Sequence, residues 1–432
     1  MLNLITFNRW WDTGSVDSIY LMPYKRKLFY QLTRYLNTRQ ILVIYGLRRT
    51  GKTTLMYQLI DSLLRKSFSR KHIFYFSFDE RISTLEELLK TYSDLIISKD
   101  LAKEKKIYIF LDEIQKLENW ENQLKIFYDL YPNVKFIVSG SASITIQKMA
   151  VESLAGRIYE FILPLLPFRE FLELKGEKIK LQESWDYKKL KEIYLGRDRI
   201  APYLIEYTKK GGFIELMEET DEDKIKRYSS SIIERIAFVD LATNFRLREP
   251  QLFKIILELI ASNPGFLLDY ANFSRILGKD KRLIADYISH LKYSFLVKSL
   301  YNFSKIRFIS ERKLKKVYLG STNFIYGLQS ARFMEPQFLG KVMENLVVAN
   351  TDTQFFWRLR NYEIDLVTNE NIPVEVKYKN KITDRELNSV TKFCKNYKVN
   401  KGLIVTKDLL SFKKREGIEL LYIPLWIFLL KT

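Results

Sequence analysis

Gly46-Leu47-Arg48-Arg49-Thr50-Gly51-Lys52-Thr53 spells G-x-x-x-x-G-K-[ST]. An apolar run, Gln40-Ile41-Leu42-Val43-Ile44-Tyr45, precedes it, and a helical pattern, Thr54-Leu55-Met56-Tyr57-Gln58-Leu59-Ile60, follows. Strand, glycine-bearing loop and helix in that order make a phosphate cradle. The glycines let backbone N–H groups curl around phosphate oxygens, and the helix N-terminus adds partial positive charge. The stretch therefore predicts a nucleotide held by Gly46, Arg49, Thr50, Gly51, Lys52, Thr53 and Thr54. Lys52 is expected on the β- and γ-phosphates and the Thr53 hydroxyl on Mg²⁺.

A second motif completes the first. Ile107-Tyr108-Ile109-Phe110-Leu111-Asp112-Glu113 is an apolar strand pattern ending in two carboxylates. Asp112 fits the acid that supports Mg²⁺, and Glu113 fits the base that polarises an attacking water. ATP and Mg²⁺ are the expected cofactors, and hydrolysis rather than mere nucleotide binding is the expected chemistry.

Working outward, residues 1–165 alternate short apolar strands (41–45, 73–78, 107–111, 134–139, 158–163) with amphipathic helices. That rhythm predicts a parallel α/β sheet. The strand Val134-Lys135-Phe136-Ile137-Val138 ends in Ser139-Gly140-Ser141. Ser139 or Ser141 is placed to sense the γ-phosphate, or equally to cap a helix.

Residues 166–245 read as a helical lid or linker broken at Gly211-Gly212. From 246 to 335 the pattern is helix, helix, turn, helix and two short strands (295–301 and 306–309), which predicts a winged helix-turn-helix. Residues 279–316 carry eleven Lys/Arg against three acids. Lys279, Lys281 and Arg282 fall at the start of the expected recognition helix. A second basic cluster, Arg312, Lys313, Lys315 and Lys316, is expected beyond the wing. DNA contact through Lys279, Lys281, Arg282, Arg312 and Lys313 is one reading. A packing module with solvated charges is the other.

Residues 336–432 predict a further α/β unit: a helix over 340–350, three strands (354–359, 362–367, 372–378), a helix over about 384–396 and a strand at 402–406. Glu375 and Lys377 are two apart on a strand and share a face. Asp365 can lie beside Glu375, and Glu344 projects from the helix in front. Three acids that can hold Mg²⁺, with a lysine that can orient water or neutralise charge, suit phosphodiester hydrolysis. The bland alternative is a structural ion pair.

Composition bounds the rest. Hydrophobic residues make up 47% of the chain, which excludes a largely disordered protein. The net charge of +20 fits a polyanionic partner or an anionic membrane surface. A single cysteine, Cys394, excludes intramolecular disulfides and fits a reducing interior. Two histidines leave little for a His-based metal site. The N-terminal Met1-Leu2-Asn3-Leu4-Ile5 lacks a signal-peptide pattern, and the apolar tract 420–430 is too short to span a bilayer and holds Pro424. A soluble cytoplasmic protein without membrane association is expected.

The chain resembles a family of archaeal and bacterial P-loop ATPases related to the AAA+ and STAND classes. The residues that carry the resemblance are GLRRTGKTTL (46–55), FLDEIQKLENWENQLK (110–125), SGSAS (139–143), LAGR (154–157), LPFREFL (166–172), GGF (211–213), EIDLV (363–367) and VEVKY (374–378). The family joins an ATPase domain to a winged helix and a C-terminal restriction-endonuclease-like domain. The resemblance implies Arg157 as a phosphate-sensing or trans-acting arginine. It also implies a PD-(D/E)XK-like site of Glu344, Asp365, Glu375 and Lys377, and a homo-oligomer is compatible with it.

The leading functional expectation is an ATP-hydrolysing DNA-binding protein with a Mg²⁺-dependent nuclease-like C-terminal domain, acting in repair, recombination or defence. The competing one is a nucleotide-dependent regulatory switch whose nuclease-like domain is inactive and binds DNA or protein. A third class, a peripheral-membrane or protein-remodelling ATPase, also accommodates the positive charge.

Overall fold

The computed structural model describes residues 4–80, 82–141, 154–179, 185–241, 249–306, 310 and 313–431. The chain divides into two compact units, Met1–Leu165 and Leu166–Thr432.

Unit 1 is built on β1 (Ile41–Gly46), β2 (Ile73–Ser77), β3 (Ile107–Asp112), β4 (Val134–Ser141) and β5 (Ile158–Ile162). They lie in the order β2-β3-β4-β1-β5, with every pairing parallel. The first four are continuous apolar runs because a parallel sheet is covered on both faces. Every residue of β1, β2, β3 and β4 is buried, whereas edge strand β5 is half-exposed. Since all strands point one way, β1, β3 and β4 deliver their C-terminal residues to one edge. Gly46 pairs with Ser141, and Ser77 with Asp112. That edge is where open α/β sheets bind ligands. The helix Lys52–Arg65 starts there. The parallel α/β core expected from the sequence is present, with strand ends shifted by one or two residues.

Unit 2 opens with helices, among them Phe168–Leu174, Pro202–Lys210 and Glu222–Arg235. Next come the helix Gln251–Ser262, β6 (Phe266–Leu268), the helices Tyr270–Leu277 and Lys281–Tyr293, β7 (Val297–Asn302) and β8 (Lys315–Leu319). Local chemistry sets these boundaries. The Asp269 side chain accepts from the amides of Ala271 and Asn272, and Asp280 accepts from those of Arg282 and Leu283. These are N-caps that satisfy otherwise orphaned donors. Gly278, at φ +61°, closes the middle helix. The second strand differs from the sequence reading: it is at 315–319, and residues 307–309 of the expected segment lie outside the described residues.

The remainder adds the helix Pro336–Ala349, β9 (Phe355–Leu359), β10 (Tyr362–Val367), β11 (Pro373–Lys377), the helix Asn388–Tyr397, β12 (Lys401–Thr406), β13 (Ser411–Arg415), β14 (Ile418–Pro424) and the helix Leu425–Leu430. The sheet does not stop at residue 336. β7 pairs in parallel with β9 through Tyr301–Phe355 and Asn302–Phe356. One nine-stranded sheet, β13-β14-β12-β11-β10-β9-β7-β8-β6, results. A single core likewise gathers Phe168, Phe171 and Tyr207 with Met343, Val347 and Trp426.

Candidate nucleotide and carboxylate sites

At the C-terminal edge of the unit 1 sheet, β1 ends in Gly46. A Cβ there would lie 2.3 Å from the Leu163 carbonyl oxygen, so only glycine lets the backbone of residue 163 approach. The loop then turns through Arg49 at φ 63° and Gly51 at φ 91°, left-handed positions that aim successive amides into one concavity. The Thr50 hydroxyl donates to the Leu47 carbonyl at 2.9 Å and braces the turn. Arg26, buried, donates to the Thr50 carbonyl at 3.3 Å and to the Pro164 carbonyl at 3.0 Å. Lys52 is buried, with Nζ donating to the carbonyls of Gly46 at 3.2 Å and Leu47 at 3.0 Å. Its ammonium therefore sits inside the loop, and Thr54 follows in the first helical turn.

Asp112, at the end of β3, is 2% exposed. Its Oδ2 accepts from the Thr53 hydroxyl at 2.6 Å and the Tyr75 hydroxyl at 3.0 Å. Its Oδ1 accepts from the Glu113 amide at 3.0 Å and from the Ser139 hydroxyl. Residues from β1's loop, β2, β3 and β4 thus converge on one carboxylate. The Tyr75 phenol is held well above its ordinary pKa, first by burial and then by the charge of Asp112, so it remains a neutral donor. The Ser139 hydroxyl, a candidate for γ-phosphate sensing or helix capping, bonds this acid. Ser141 is buried where β4 pairs with Gly46.

Glu113 follows in a left-handed conformation, φ 53° and ψ 40°. That is a costly backbone for a non-glycine residue, of the kind concentrated at functional sites. Its Oε2 accepts from Gln115 Nε2 at 2.6 Å. Gln115 escaped the sequence reading. Its signal was the spacing Glu-x-Gln, which the short 3₁₀ turn Ile114–Lys116 converts into contact. The donor set fits Mg·ATP: an ammonium within the loop, amides at a helix start, and a hydroxyl touching a carboxylate.

Arg157 stands elsewhere. Its carbonyl accepts from the Ile41 amide, at the start of β1 and so at the opposite edge from Gly46. Its guanidinium pairs with Asp129 at 3.1 Å through both Nε and Nη2. The expectation that Arg157 senses phosphate in its own chain's site is corrected by this placement. Only the trans-acting half of that expectation survives as a proposal.

In unit 2 the acids gather around a lysine that the sequence assigned to the surface. Lys316, on β8, is 3% exposed. Its Nζ lies 2.7 Å from Glu363 Oε1, 3.3 Å from Glu344 Oε1 and 3.5 Å from Asp365 Oδ1. Tyr318, two residues on and sharing the face, donates to Glu344 Oε1 at 2.6 Å. Asp365 lies where β10 shifts register against β9, and its Oδ2 accepts from the Val376 amide at 2.8 Å. The pairing of Leu366 with Val374 brings Asp365 alongside Glu375. Glu375 Oε1 accepts from Lys377 Nζ at 2.5 Å, while its Oε2 is buried with no partner.

The electrostatics follow from that crowding. Burial first, then Asp365, pushes Glu344 up to about 7 and Glu375 up to about 8. Burial pulls Lys377 down, but Asp365 and Glu375 outweigh it and hold the lysine above its ordinary value. The sequence reading brought Glu344, Asp365, Glu375 and Lys377 together and missed Lys316, Glu363 and Tyr318. The cluster differs from the expected metal set in one respect: among the described residues no three acids stand ready to hold a metal ion. An ammonium stands between them instead. The expectation of Lys316 in a solvated basic cluster is corrected for the same reason.

The remaining basic residues divide. Lys281 and Arg282 are exposed at the start of the helix Lys281–Tyr293, and Lys313 is exposed before β8. Lys279 pairs with Glu249 at 2.5 Å. Arg312 lies outside the described residues. Lys298 is partly buried, donating to the carbonyls of Val348 and Thr351 at the end of the helix Pro336–Ala349. No helix among the described residues is long and apolar enough to cross a membrane.

Residues 38–172 match the family model described as an AAA domain. Unit 1 holds a P-loop ATPase domain of this type. Residues 201–326 and 339–426 match two models, each described as a domain of unknown function. An uncharacterized protein of Methanocaldococcus jannaschii is 27% identical over 398 residues, 85% of this chain and 82% of that protein. An uncharacterized protein of Haemophilus influenzae is 24% identical over 421 residues, 92% and 96% of the respective chains. A solved structure of a Signal Transduction ATPase with Numerous Domains from Pyrococcus horikoshii, with a tetratricopeptide repeat sensor, matches at 12% identity and a TM-score of 0.29. That match covers 76% of this chain but only 45% of that one, and a TM-score so low supports no inference.

Proposed function

We propose that the chain is an ATP-hydrolysing, DNA-binding protein whose C-terminal part is a nuclease-like domain. The observation that carries the ATPase part is the convergence of Thr53, Tyr75 and Ser139 on Asp112, beside a Glu113 carboxylate held by Gln115. Bound Mg·ATP supplies a phosphoryl group open to attack by water. Lys52 and the loop amides orient its phosphates. Asp112 and Thr53 would hold the metal's shell. Glu113 accepts the proton of the attacking water, and Gln115 keeps that carboxylate aimed. Glu113→Gln should bind ATP yet turn over at least about a hundred-fold more slowly, as for loss of a general base. Lys52→Ala should lose ATP affinity. ATP binding by filter assay beside phosphate release checks both, and undiminished turnover in Glu113→Gln removes Glu113 from the mechanism.

The DNA-binding part rests on the order helix, strand, helix, helix, strand, strand over 251–319, which is that of a winged helix. It also rests on the exposure of Lys281 and Arg282 at the start of its third helix. Fluorescence anisotropy with labelled duplex, with and without ATP, tests it; salt-independent or absent binding sinks it.

For the C-terminal part, Glu344, Asp365, Glu375 and Lys377 support a PD-(D/E)XK-like site that cuts DNA with Mg²⁺. A specific observation favours the competing reading, a nucleotide switch whose nuclease-like domain is silent: Lys316 occupies the space among the acids. Cleavage of labelled duplex, single-stranded and branched DNA with Mg²⁺ or Mn²⁺ separates them, with Lys377→Ala as control.

A further inference from the structure

We propose that Arg26 is a positioning residue of the unit 1 nucleotide site: it orients the Thr50–Gly51 peptide for phosphate and ties that peptide to residues 164–165. The proposal rests on the ATPase reading and adds what holds the loop and where its occupancy is felt.

Three observations meet at this side chain. First, Arg26 is 7% exposed, and its guanidinium reaches carbonyls from two distant stretches of the chain. Nη1 donates to Thr50 at 3.3 Å, and Nη2 donates to Pro164 at 3.0 Å and to Leu165 at 3.4 Å. A buried cation is costly unless polar groups meet it, and a planar guanidinium presents its donors in a rigid fork. The fork therefore sets the spacing between the Thr50 carbonyl and the other two. Second, the Thr50 carbonyl shares one planar trans peptide with the Gly51 amide, and the two groups point in opposite directions. Holding the carbonyl thus holds the direction of an amide in the phosphate concavity. Third, the other end of the loop meets the same exit segment. The Leu163 amide donates to the Tyr45 carbonyl at 2.8 Å. The Leu163 carbonyl lies so close to Gly46 that a Cβ there would be 2.3 Å away. Residues 163–165 grip the loop directly at Gly46 and through Arg26 at Thr50.

The arginine itself is held at its base. Gln58, buried on the helix Lys52–Arg65, donates to the carbonyls of Met22 and Tyr24 at 2.8 Å each. The Arg26 carbonyl accepts from the Phe29 amide at 2.9 Å, in the first turn of the helix Lys27–Tyr35. Residues 22–26 form a strap that runs from the loop's own helix back to the loop's carbonyl. Phosphate oxygens that engage the loop amides restrain the Thr50–Gly51 peptide, and Arg26 passes that restraint to Pro164 and Leu165, the last residues of unit 1. The Leu166 amide belongs to the same peptide as the Leu165 carbonyl, so its exchange with solvent reports the restraint.

The probe is the non-hydrolysable analogue AMP-PNP with Mg²⁺, added to the full chain. Calorimetry gives its affinity, and amide exchange is followed at single residues. In wild type, saturating AMP-PNP should slow exchange in the loop, at Leu163 and at Leu166. Arg26→Gln should bind AMP-PNP about ten-fold more weakly, the scale for losing a partner that orients a ligand-binding group. KM for ATP should rise by the same factor with kcat changed less, as for an interaction made equally in ground and transition states. At saturation the variant's loop and Leu163 should still gain protection, and Leu166 should not. A purely structural arginine would leave the Leu166 response in place. Arg26→Lys keeps the charge without the fork, so it should recover part of the affinity and none of the Leu166 response. It carries the test if Arg26→Gln does not fold by circular dichroism. Wild-type affinity in both variants overturns the positioning role, and a Leu166 response that persists in either overturns the tie to residues 164–165. If wild type binds AMP-PNP, Lys52→Ala does not and the Arg26 variants behave as wild type, this proposal alone fails. A wild-type chain that binds no AMP-PNP overturns the ATPase reading and this proposal with it.

Discussion

Among the described residues, two buried acid sites stand out, and the groups that meet their carboxylates differ. In unit 1, Asp112 is bonded by three hydroxyls and one amide, all neutral. These donors orient the carboxylate and bring no positive charge to it, so a hard cation has no competing counterion among them. In unit 2, Glu344, Glu363 and Asp365 share the ammonium of Lys316, and Glu375 takes that of Lys377. There the charge is consumed within the fold. The number of acids therefore does not by itself define a metal site; the counterion decides whether the acids are available or spoken for.

The largest effect expected from this difference is on stability. Lys316→Ala strands several buried carboxylates, and breaking a buried ion pair from one side typically costs about 3–5 kcal/mol. Urea unfolding should show unit 2 weakened by that order. Asp112→Asn is the matched change in unit 1: its amide oxygen can still accept from the Glu113 amide and Ser139, and its NH2 can donate to the Thr53 and Tyr75 hydroxyls, which are free to turn, so stability should move by no more than about 1.5 kcal/mol, while ATP turnover collapses. Equal destabilisation by the two variants would erase the distinction between the clusters.

A pH dependence sharpens the contrast. Glu344 and Glu375 titrate near 7 and 8 in the folded chain, against an ordinary 4.5. Folded groups with raised values hold protons that the unfolded chain has released. Their stabilisation is full below the unfolded value and is lost as pH rises through the folded one, so unit 2 should weaken between about pH 5 and about pH 9. The slope is bounded by about 1.4 kcal/mol per pH unit for each carboxyl. Lys316 pulls both values down, so Lys316→Ala should move the loss to higher pH. Urea midpoints across that range test this, and Glu344→Gln/Glu375→Gln should flatten the profile.

In unit 1 a neutral partner can be removed with less damage. Gln115→Ala deletes the 2.6 Å bond to Glu113 without touching the acid. Losing a partner that orients a working group costs on the order of ten-fold. The loss should fall on kcat with KM for ATP little changed; a loss confined to KM would assign Gln115 to binding instead.

How much of this was legible beforehand differs between the clusters for a physical reason. Gly46, Lys52, Thr53, Asp112 and Ser139 each sit near the end of a parallel strand or at the start of the helix that follows one, and parallel strands bring their ends together by construction. Reading the strands therefore located the site. Strand ends did not locate Arg157, whose register with Ile41 puts it at the edge opposite Gly46 in its own sheet. In unit 2 the four resembling residues lay on adjacent elements and were found, whereas Lys316 comes from β8, three positions from β10 in the sheet. Its neighbours Arg312, Lys313 and Lys315 make it look like one more solvated charge. The available hint was alternation: Lys316 and Tyr318 share one face of a strand whose other face carries the apolar Val317 and Leu319 after Lys315. Glu363 and Asp365 show the same two-residue spacing on β10, although only Asp365 of the EIDLV stretch was singled out as a site residue.

The smallest effect concerns the lysines that face outward. Of the basic residues between 279 and 316, Lys298 and Lys316 are bonded within the fold and Lys279 pairs with Glu249. Lys281 and Arg282 are exposed where a helix begins, at the position from which a winged helix would meet phosphate. Each phosphate contact on duplex DNA contributes about 0.9 to the slope of log K against log salt. Lys281→Gln/Arg282→Gln should therefore lower that slope by about 1.8 if both side chains contact phosphate. Lys279→Gln should lower it by less, because its charge is already shared with Glu249. Lys298→Gln should leave it unchanged, since that ammonium is committed to the carbonyls of Val348 and Thr351. Anisotropy titrations at several salt concentrations give all three slopes. A fall with Lys298→Gln as large as that with Lys281→Gln/Arg282→Gln would mean that internal and external lysines are not separable in this way, and the DNA surface would have to be sought on another face.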